Sequence, residues 1–592
     1  MRLLLSYQLL INWLHAKLSS RHFLMLSSAL VGLTAGLAAV LLKTMVHYIH
    51  LGIVYNYHIR FQYYLYLIFP LIGILLTVYI VKRFFNNKLG KGTANILHAI
   101  VRKSSFLPRE QAYSHILTSA VTVGFGGSAG LESPIVTTGS AIGSNYGKTY
   151  HLPYKDRVLL LACGASAGIA AAFNSPIAGV LFALEVLLVD VSISAFLPLI
   201  IAAAVGTLCS KIILKEGFLL SFSLQEPFDF HNVPFYIILG ILTGMVSVYY
   251  TRTFVRVEKL FAVHKQKLYQ KAIVGGVLLA ILIFFFPPLF GEGYESIKVL
   301  SGTEAQELFQ KSILSKLGNN EWFVLFFIGA AMFIKVIAAS ITINSGGNGG
   351  NFAPSLFVGA YLGYFFSRLV NLIGISTLPI SNFTIVAMAG ILTGVFHAPL
   401  TGIFLIAEIT GGYELMVPLM IVSAISYLVV KYFEPLSMDE RKLLKRGHII
   451  TQNKDKTILS SLKMDKMIET DFQKIQPAST LRELTEIVAH STRNIFPVVN
   501  SENKLVGIIH LDNIREIMFK SEFYDTLLVE RLMSNPTVLV SPNEHMHSVM
   551  KKFDSSGSWN LPVVEDGQYV GFVSKSSLLT KYRSRLIRTS SD

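Results

Sequence analysis

One acidic residue stands inside a glycine-rich interruption of an otherwise apolar stretch of the chain. Glu132 follows Gly126-Gly127-Ser128-Ala129-Gly130-Leu131 and precedes Ser133-Pro134. Burial in apolar surroundings favours the neutral form of a carboxyl group, whereas the unpaired N–H groups of a helix N-terminus favour the charged form. The side chain can therefore act as a switch between a charged and a neutral form. A glutamate that only stabilises the first turn of its own helix is the alternative interpretation.

The interruption occurs a second time, together with a second matched block. The second copy reads Gly346-Gly347-Asn348-Gly349-Gly350-Asn351-Phe352-Ala353-Pro354. Pro176-Ile177-Ala178-Gly179, followed by Glu185, recurs as Pro399-Leu400-Thr401-Gly402, followed by Glu408. The spacing between the copies is nearly constant for both blocks, which predicts two related halves, each with an interrupted helix. In transporters, paired segments of this kind indicate the ion or substrate site.

The chemistry of such breaks favours an anion. Backbone leaves the helix at membrane depth only where it is buried in protein or lines a cavity. Glycine allows the chain to turn and allows an ion to approach the amides without a Cβ in the way. A helix that begins at the break directs unpaired N–H groups and a partial positive charge toward the cavity. The predicted cargo is therefore a small anion, held where the two breaks converge near the middle of the bilayer.

The composition indicates a multi-pass membrane protein. Hydrophobic residues make up 52% of the 592 residues, charged residues only 15%, and the mean hydropathy is +0.53. A soluble domain has about 25% charged residues. A spanning helix needs about 20 residues, and several apolar stretches approach this length. The shorter apolar stretches suggest re-entrant or broken helices.

The basic character of the chain has a membrane explanation. The net charge is +15, but the lysines and arginines cluster in loops, where they face the cytoplasm and anionic headgroups, so no nucleic-acid partner is expected. The basic flanks of the first and last membrane helices predict cytoplasmic termini. No organelle signal is evident, so the cell membrane is the expected location. The two cysteines and the histidines show no disulfide framework or metal-ligand spacing, and no metal is predicted.

These motifs resemble those of the CLC chloride channels and chloride/proton exchangers. Residues 130–134 are similar to the G-[RK]-E-G-P motif of that family, and residues 350–354 to its second filter motif, G-x-F-x-P. The resemblance implies an all-α membrane domain of two inverted-topology repeats with broken helices, assembled as a homodimer with one pore per subunit. It implies a chloride pore gated by Glu132, with anion ligands from Gly130, Leu131, Ser133, Gly350, Asn351, Phe352 and Ala353.

Several positions depart from the pattern of that family. Lys91 stands where the family has a central serine, and no tyrosine lies near residues 437–439, where it has a pore tyrosine. The anion would then be held mainly by backbone amides, while Lys91 either attracts anions or extends to the interface. Val186 replaces the internal proton-accepting glutamate of the exchangers, although some exchangers also lack it. The sequence therefore favours passive, channel-like conduction, with proton-coupled antiport as the alternative.

The chain divides into a membrane unit and a soluble tail. We predict an interfacial helix at residues 1–22 and a transport domain at 23–436, with repeats at about 23–215 and 232–434. A polar linker is expected at 437–460. The tail, 461–585, alternates helices with short strands rich in valine and isoleucine, which is typical of an α/β domain.

The tail is itself a tandem repeat. Phe496-Pro497-Val498-Val499 recurs as Leu561-Pro562-Val563-Val564, and the pair resembles two CBS domains, at about 461–520 and 526–585. By resemblance such pairs often bind adenine nucleotides. The expected ribose-binding carboxylate is replaced by Asn513 in one copy and Ser577 in the other, with Asp512 one residue away. A structural or dimerising role is therefore expected first, with adenine-nucleotide binding as the alternative, and no other cofactor is indicated.

Two other function classes explain less of the sequence. Gly164-Ala165-Ser166-Ala167-Gly168 has the G-x-S-x-G pattern of hydrolases, but that elbow requires a strand, a turn and a helix. Here it lies in an alanine-rich apolar segment, where small residues pack helices closely, so no enzyme is expected. A membrane sensor that acts through the CBS pair leaves the two matched breaks unexplained. Glu185 and Glu408 are expected to pack or hydrogen-bond within the helix bundle.

Overall fold

The computed structural model describes most of the chain between residues 18 and 591. Residues 55–61, 88, 91, 103–104, 188–192, 216–226, 263–267, 302–307, 309–319, 412, 446–461 and 463 are not described. The chain forms two compact units, Met1–Lys445 and Arg446–Asp592, and each is described by itself. Most of the interfacial helix predicted at residues 1–22 lies outside the described residues.

The first half of the membrane unit contains eight helices among its described residues. They are α1 (Ser20–Val54), α2 (Gln62–Phe85), α3 (Thr93–Arg102), α4 (Gln111–Gly124), α5 (Glu132–Thr149), α6 (Tyr154–Phe173), α7 (Pro176–Phe182) and α8 (Ile193–Leu214). A π-helical turn, Ala183–Leu187, extends α7. The glycine-rich break between α4 and α5 ends where α5 begins, at Glu132.

The second half repeats this order of elements. Its described helices are α9 (Val233–Ala262), α10 (Leu268–Phe285), α11 (Tyr294–Ser301), α12 (Glu321–Asn344), α13 (Phe352–Ile373), α14 (Ile380–Phe396), α15 (Pro399–Thr410), α16 (Met416–Phe433) and α17 (Met438–Lys445). A 3₁₀ turn, Pro287–Leu289, lies between α10 and α11. The second break ends where α13 begins, at Phe352.

Long and short apolar helices alternate in this unit. Within the described residues, nine helices are long and apolar enough to cross a membrane. Three further apolar helices have only 10–17 residues, at Pro176–Leu187, Ile380–Phe396 and Pro399–Thr410. A straight span requires about 20 residues, so these short helices belong to broken or re-entrant segments. This mixture confirms the prediction of interrupted helices.

Glycines bring the helices of each half into close contact. A Cβ at Gly139 of α5 would overlap the backbone carbonyl of Gly164 in α6, and a Cβ at Gly164 would overlap that of Gly139. In the second half Gly359 of α13 meets the backbone of Met388 in α14 in the same way. The G-x-S-x-G segment therefore lies inside a packed helix, where Ser166 is fully buried, and the surroundings of a nucleophile elbow are missing there.

Each half also places a carboxylate at the N-terminus of a helix in the other half. Glu408 accepts hydrogen bonds from the amides of Ile177 and Ala178 in the first turn of α7, at 3.2 and 2.9 Å. Glu185 accepts from the two corresponding amides of α15, at 3.0 and 2.8 Å. Each half thus caps a helix of the other, as expected for two repeats related by a pseudo-twofold axis. The hydrogen-bonding role predicted for both glutamates is confirmed.

The segment predicted as a linker at 437–460 begins with a helix that packs on the membrane unit. In α17, Leu443 is fully buried, and Asp439 lies at the start of α3, beside the Thr93 hydroxyl and the Ala94 amide. The polar composition of this segment concealed the helix, because only one face of it is buried. The remaining residues of that predicted linker, 446–460, lie outside the described residues.

The second unit consists of two copies of one α/β motif. In the first copy, helix α18 (Leu481–His490) precedes the hairpin β1–β2 (Ile495–Val499, Leu505–His510) and the short helix α19 (Leu511–Ile514). In the second copy, helix α20 (Met546–Ser556) precedes the hairpin β3–β4 (Asn560–Glu565, Gln568–Ser574) and helix α21 (Lys575–Ser591). Both hairpins are antiparallel, with a register shift at the same place. A parallel bridge joins Ile475 to Val498 in the first copy and Val540 to Val563 in the second, at matching positions of the repeat. The predicted tandem repeat is therefore confirmed.

Candidate functional site

The two glycine-rich breaks meet through their backbones. The amide of Gly130 donates to the carbonyl of Gly350 at 2.9 Å, and the amide of Gly350 donates to the carbonyl of Gly130 at 2.7 Å. A Cβ at Gly350 would come within 2.6 Å of the Cβ of Ser133, so a larger residue would separate the breaks. Helices α5 and α13 begin two residues after the paired glycines. Their N-termini, with the associated partial positive charge, therefore converge at this junction.

The Glu132 carboxylate occupies that junction. The side chain is only 3% exposed, and its Oε1 accepts a hydrogen bond from the Tyr294 hydroxyl at 2.7 Å. The backbone amides of Glu132 itself and of Ala353, one in each helix N-terminus, lie near the carboxylate, and Oε2 has no hydrogen-bond partner among the described residues. A Cβ at Gly130 would overlap Oε2, which shows how tightly the group folds back onto the first break.

The side chains next to the junction leave the helix amides uncapped. Neither Leu131 nor Asn351, the residues that precede α5 and α13, caps its own helix through a side-chain hydrogen bond. Asn351 Oδ1 instead accepts from the Tyr250 hydroxyl at 3.3 Å. The Phe352 ring packs against Phe396, with ring centroids 4.2 Å apart, and forms an apolar wall. The uncapped amides can therefore bind a carboxylate or another small anion.

A short segment, residues 287–294, lies across the first break; we call it the strap. The amide of Gly291 donates to the carbonyl of Gly126 at 3.2 Å. The fully buried Lys335 of α12 donates to the carbonyls of Gly291 at 3.0 Å and Leu289 at 3.4 Å. Gly291 and Gly293 have φ angles of +62° and +94°, a region that favours glycine, and so allow the strap to turn twice.

The strap brings two polar side chains to the start of α5. Glu292 Oε1 accepts from the amide of Leu131 at 3.2 Å, and Tyr294 is the hydroxyl donor to Glu132. Both side chains are partly exposed, whereas Glu132 is buried. Two carboxylates therefore share one helix N-terminus, and a buried lysine holds the strap that carries the second one.

The comparison with known sequences decides the family. A family model described as a voltage gated chloride channel matches residues 72–431, more than half of the chain. The chain belongs to the voltage-gated chloride channel family. A second model, the CBS domain, matches residues 464–520 and 529–584.

Relatives within the voltage-gated chloride channel family include both plant and bacterial proteins. The chloride channel protein CLC-f of Arabidopsis thaliana is 25% identical over 520 residues, which cover 77% of this chain and 65% of that protein. The H(+)/Cl(-) exchange transporter ClcA of Vibrio vulnificus is 29% identical over 311 residues, 51% of this chain and 62% of that one. The matches thus span slightly less than two thirds of either relative.

Solved structures show the same fold. A slow cyanobacterial Cl−/H+ antiporter matches with a TM-score of 0.61 and 22% identity, over 73% of this chain and 98% of that one. A eukaryotic CLC transporter matches with a TM-score of 0.59 and 19% identity, over 94% and 99% of the two chains. With the apolar helices described above, the family membership shows an integral, multi-pass membrane protein. The predicted fold, an all-α membrane domain of inverted repeats with an α/β CBS pair, is confirmed.

Most residues that the CLC motifs predicted as a site lie at the junction. The structure brings together Glu132, Gly130, Leu131, Ser133, Gly350, Asn351, Phe352 and Ala353. Lys91 lies outside the described residues. Val186 lies in the π-helical turn after α7, four residues beyond Phe182, whose ring packs against Phe352 at 5.6 Å.

Three polar residues near the junction were not predicted from the sequence: Glu292, Tyr294, and Lys335, which holds the strap. Glu292 and Tyr294 lie far from Glu132 along the chain, in a segment that matches neither break. Two signals were available. Lys335 is the only charged residue within the apolar stretch 323–341, and Glu292 stands between two glycines directly after an apolar helix. Ionisable residues in such positions are functional candidates by default.

Asp439 stands near the position where the CLC pattern has its pore tyrosine. Its side chain lies beside the Thr93 hydroxyl and the Ala94 amide, at the start of α3. A carboxylate thus occupies the N-terminus of the helix that follows Lys91. The missing tyrosine is evident from the sequence, but no sequence pattern assigns a role to this aspartate.

Proposed function

We propose that this chain transports small anions, with chloride as the expected cargo, along a path through the junction of the two breaks. The observation that carries the proposal is the position of the buried Glu132 carboxylate where the two helix N-termini converge, near amides of both. Each N-terminus carries the equivalent of about half a positive charge. A carboxylate bound there has the charge of the cargo and uses the donors that the cargo would use.

The gate follows from competition for these donors. Charged Glu132 holds the amides and repels an incoming anion, so the path is closed. Protonation removes the charge and weakens the interaction with both N-termini, so the side chain can leave and an anion can replace it. Anion flux is therefore expected to increase as the pH at the Glu132 side falls.

Passive conduction is the first candidate for the mode of transport. Exchange requires a proton path through the protein, and Val186 cannot accept a proton at the internal position of the family pattern. In this proposal Glu132 acts only as a gate. The protein would work as a homodimer with one path per subunit, in the cell membrane, with both termini in the cytoplasm.

Proton-coupled antiport is the second candidate, and a specific observation favours it. The relatives with exchange in their names include the Vibrio vulnificus ClcA, and the matched structures include a Cl−/H+ antiporter. Some exchangers also lack the internal glutamate. In this case protons would cross the region around Val186 through water. Glu132 would then act both as the gate and as the acceptor of the external proton.

Flux from proteoliposomes distinguishes these modes. The purified full-length protein is reconstituted with high internal chloride, and chloride efflux and external pH are recorded in the same run. Efflux without proton movement supports passive conduction, and efflux that drives proton uptake against a pH gradient supports antiport. If no chloride or other small anion leaves the vesicles at any pH, the proposed function is wrong.

A further inference from the structure

The strap contacts the closed gate at two separate atoms. Tyr294 donates to Glu132 Oε1 at 2.7 Å, whereas Glu292 accepts from the Leu131 amide, the residue before Glu132, at 3.2 Å. The strap is held by the Gly291 amide on the carbonyl of the first break and by Lys335 on its own carbonyls. These bonds place the strap against the closed gate.

The charged and titratable groups around Glu132 and Glu292 come from four elements. Glu292 lies on the strap, Tyr294 at the start of α11, Lys335 on α12 and Lys43 on α1. Lys43 interacts electrostatically with both carboxylates, and Lys335 interacts with Glu292. Lys335 is fully buried, with its ammonium 4.8 Å from the centre of the Phe357 ring. The two lysines favour negative charge at the junction, whereas each carboxylate disfavours the charged form of the other.

We propose that Tyr294 and Glu292 are positioning residues that set the pH at which Glu132 opens the anion path, with opposite signs. This inference rests on the proposed function, because it assumes that Glu132 is the gate. Tyr294 keeps the gate closed, and Glu292 favours its opening. Neither residue is part of the two break motifs, so the pH at which Glu132 opens would be set by the strap.

The direction for Tyr294 follows from its hydrogen bond. A hydroxyl that donates to a carboxylate stabilises the charged form and fixes it at the N-termini. Tyr294→Phe removes the donor and preserves the ring. Glu132 should then accept a proton at lower proton concentration, so the pH of half-maximal flux should increase by about one unit, which is tenfold in proton concentration.

The direction for Glu292 follows from charge repulsion. Two carboxylates at one helix N-terminus disfavour each other's charge, and their titrations are coupled. In Glu292→Gln the amide oxygen can still accept from the Leu131 amide, but the negative charge is lost. Glu132 should then retain its charge to lower pH, so the pH of half-maximal flux should decrease by about one unit.

The test measures chloride efflux from proteoliposomes of the full-length protein over a series of external pH values. The variants are Tyr294→Phe, Glu292→Gln, and each of these combined with Glu132→Gln. Matched controls are Tyr249→Phe, which removes a hydroxyl 3.3 Å from a backbone carbonyl elsewhere, and Glu295→Gln, which neutralises the exposed carboxylate next to Tyr294. Both controls should retain the midpoint of the unsubstituted protein.

Opposite shifts in the two single variants, abolished by Glu132→Gln, support the proposal. Equal midpoints in all single variants, or shifts of the same sign, overturn it, even if Glu132→Gln alone removes the pH dependence. A pH dependence that persists in Glu132→Gln contradicts the proposed gate itself, so the two failures are distinguishable. If one variant does not fold, as judged by size-exclusion chromatography, the direction of the other still decides.

Discussion

The Glu132 side chain is subject to opposing influences that only its surroundings can balance. Burial disfavours its charge, while two helix N-termini and the Tyr294 hydroxyl favour it. A group of this kind can change state for a small change in conditions. The charge state of this one residue therefore determines whether the proposed gate is open or closed.

We expect Glu132→Ala to make anion flux independent of pH. The substitution removes the carboxylate and leaves the amides of both helices free to bind the cargo. Flux through a single titrating gate changes by up to about tenfold per pH unit beyond its midpoint, and this dependence should disappear. Chloride efflux at several pH values is the measurement, with Glu295→Ala as the control. Unchanged gating in Glu132→Ala would show that the carboxylate only stabilises its helix.

Glu132 could be predicted from the sequence, whereas its partners Tyr294 and Glu292 could not. A carboxylate in an apolar, glycine-rich break is unusual enough to be recognised by itself. Tyr294 and Glu292 act on it only because the strap folds back across the break, and the turns at Gly291 and Gly293 carry no side-chain signal. Local patterns do not encode such a contact between distant segments.

At the scale of elements, small residues decide how closely the helices approach. Gly139 and Gly164 place α5 against α6 without a Cβ on either side, and Gly359 does the same for α13 against α14. The matched glycine spacing predicted that the halves were related. It did not predict that Glu185 and Glu408 would each cap a helix of the other half. A constant offset shows which residues of the two halves are equivalent, but not which residues are in contact.

Gly139→Ala should destabilise the membrane unit. Its Cβ would overlap the Gly164 carbonyl, so the two helices must move apart, which costs about 1–3 kcal/mol of the free energy of unfolding. Gly52→Ala in α1 is the matched control, because a Cβ there meets nothing within 4 Å. Thermal unfolding in detergent should show a lower midpoint for Gly139→Ala only. Equal midpoints for both variants would contradict the packing argument.

At the scale of the whole molecule, the chain joins a transport unit to a CBS pair with a core of its own. The tandem copies show in the sequence because each hairpin repeats a Pro-Val-Val phrase at a constant offset. Residues 446–460 were predicted only as part of a polar linker. The helix Met438–Lys445 was missed, because a single buried face in eight residues is too short for periodicity to indicate it.

The CBS pair is expected not to bind adenine nucleotides. Asn513 and Ser577 replace the ribose-binding carboxylates, and Asp512 is exposed and paired with Arg515. A ligand at one hundred times its dissociation constant would add about 2.7 kcal/mol to stability. Thermal unfolding of the full-length protein with and without ATP should therefore give the same midpoint. A higher midpoint with ATP would contradict this prediction and indicate a different set of ligand contacts.

The gate proposed for Glu132 is tested most directly by locating an anion at the junction of the two breaks. Crystals of the unsubstituted protein and of Glu132→Ala are grown in bromide, and anomalous diffraction locates the bound ions. We expect a bromide in Glu132→Ala at the place of the lost carboxylate, near the amide of Ala353 and that of residue 132. In the unsubstituted protein at neutral pH that place should contain the carboxylate and no bromide. Bromide bound only elsewhere in both proteins would contradict the claim that this junction is the anion site and that Glu132 closes it.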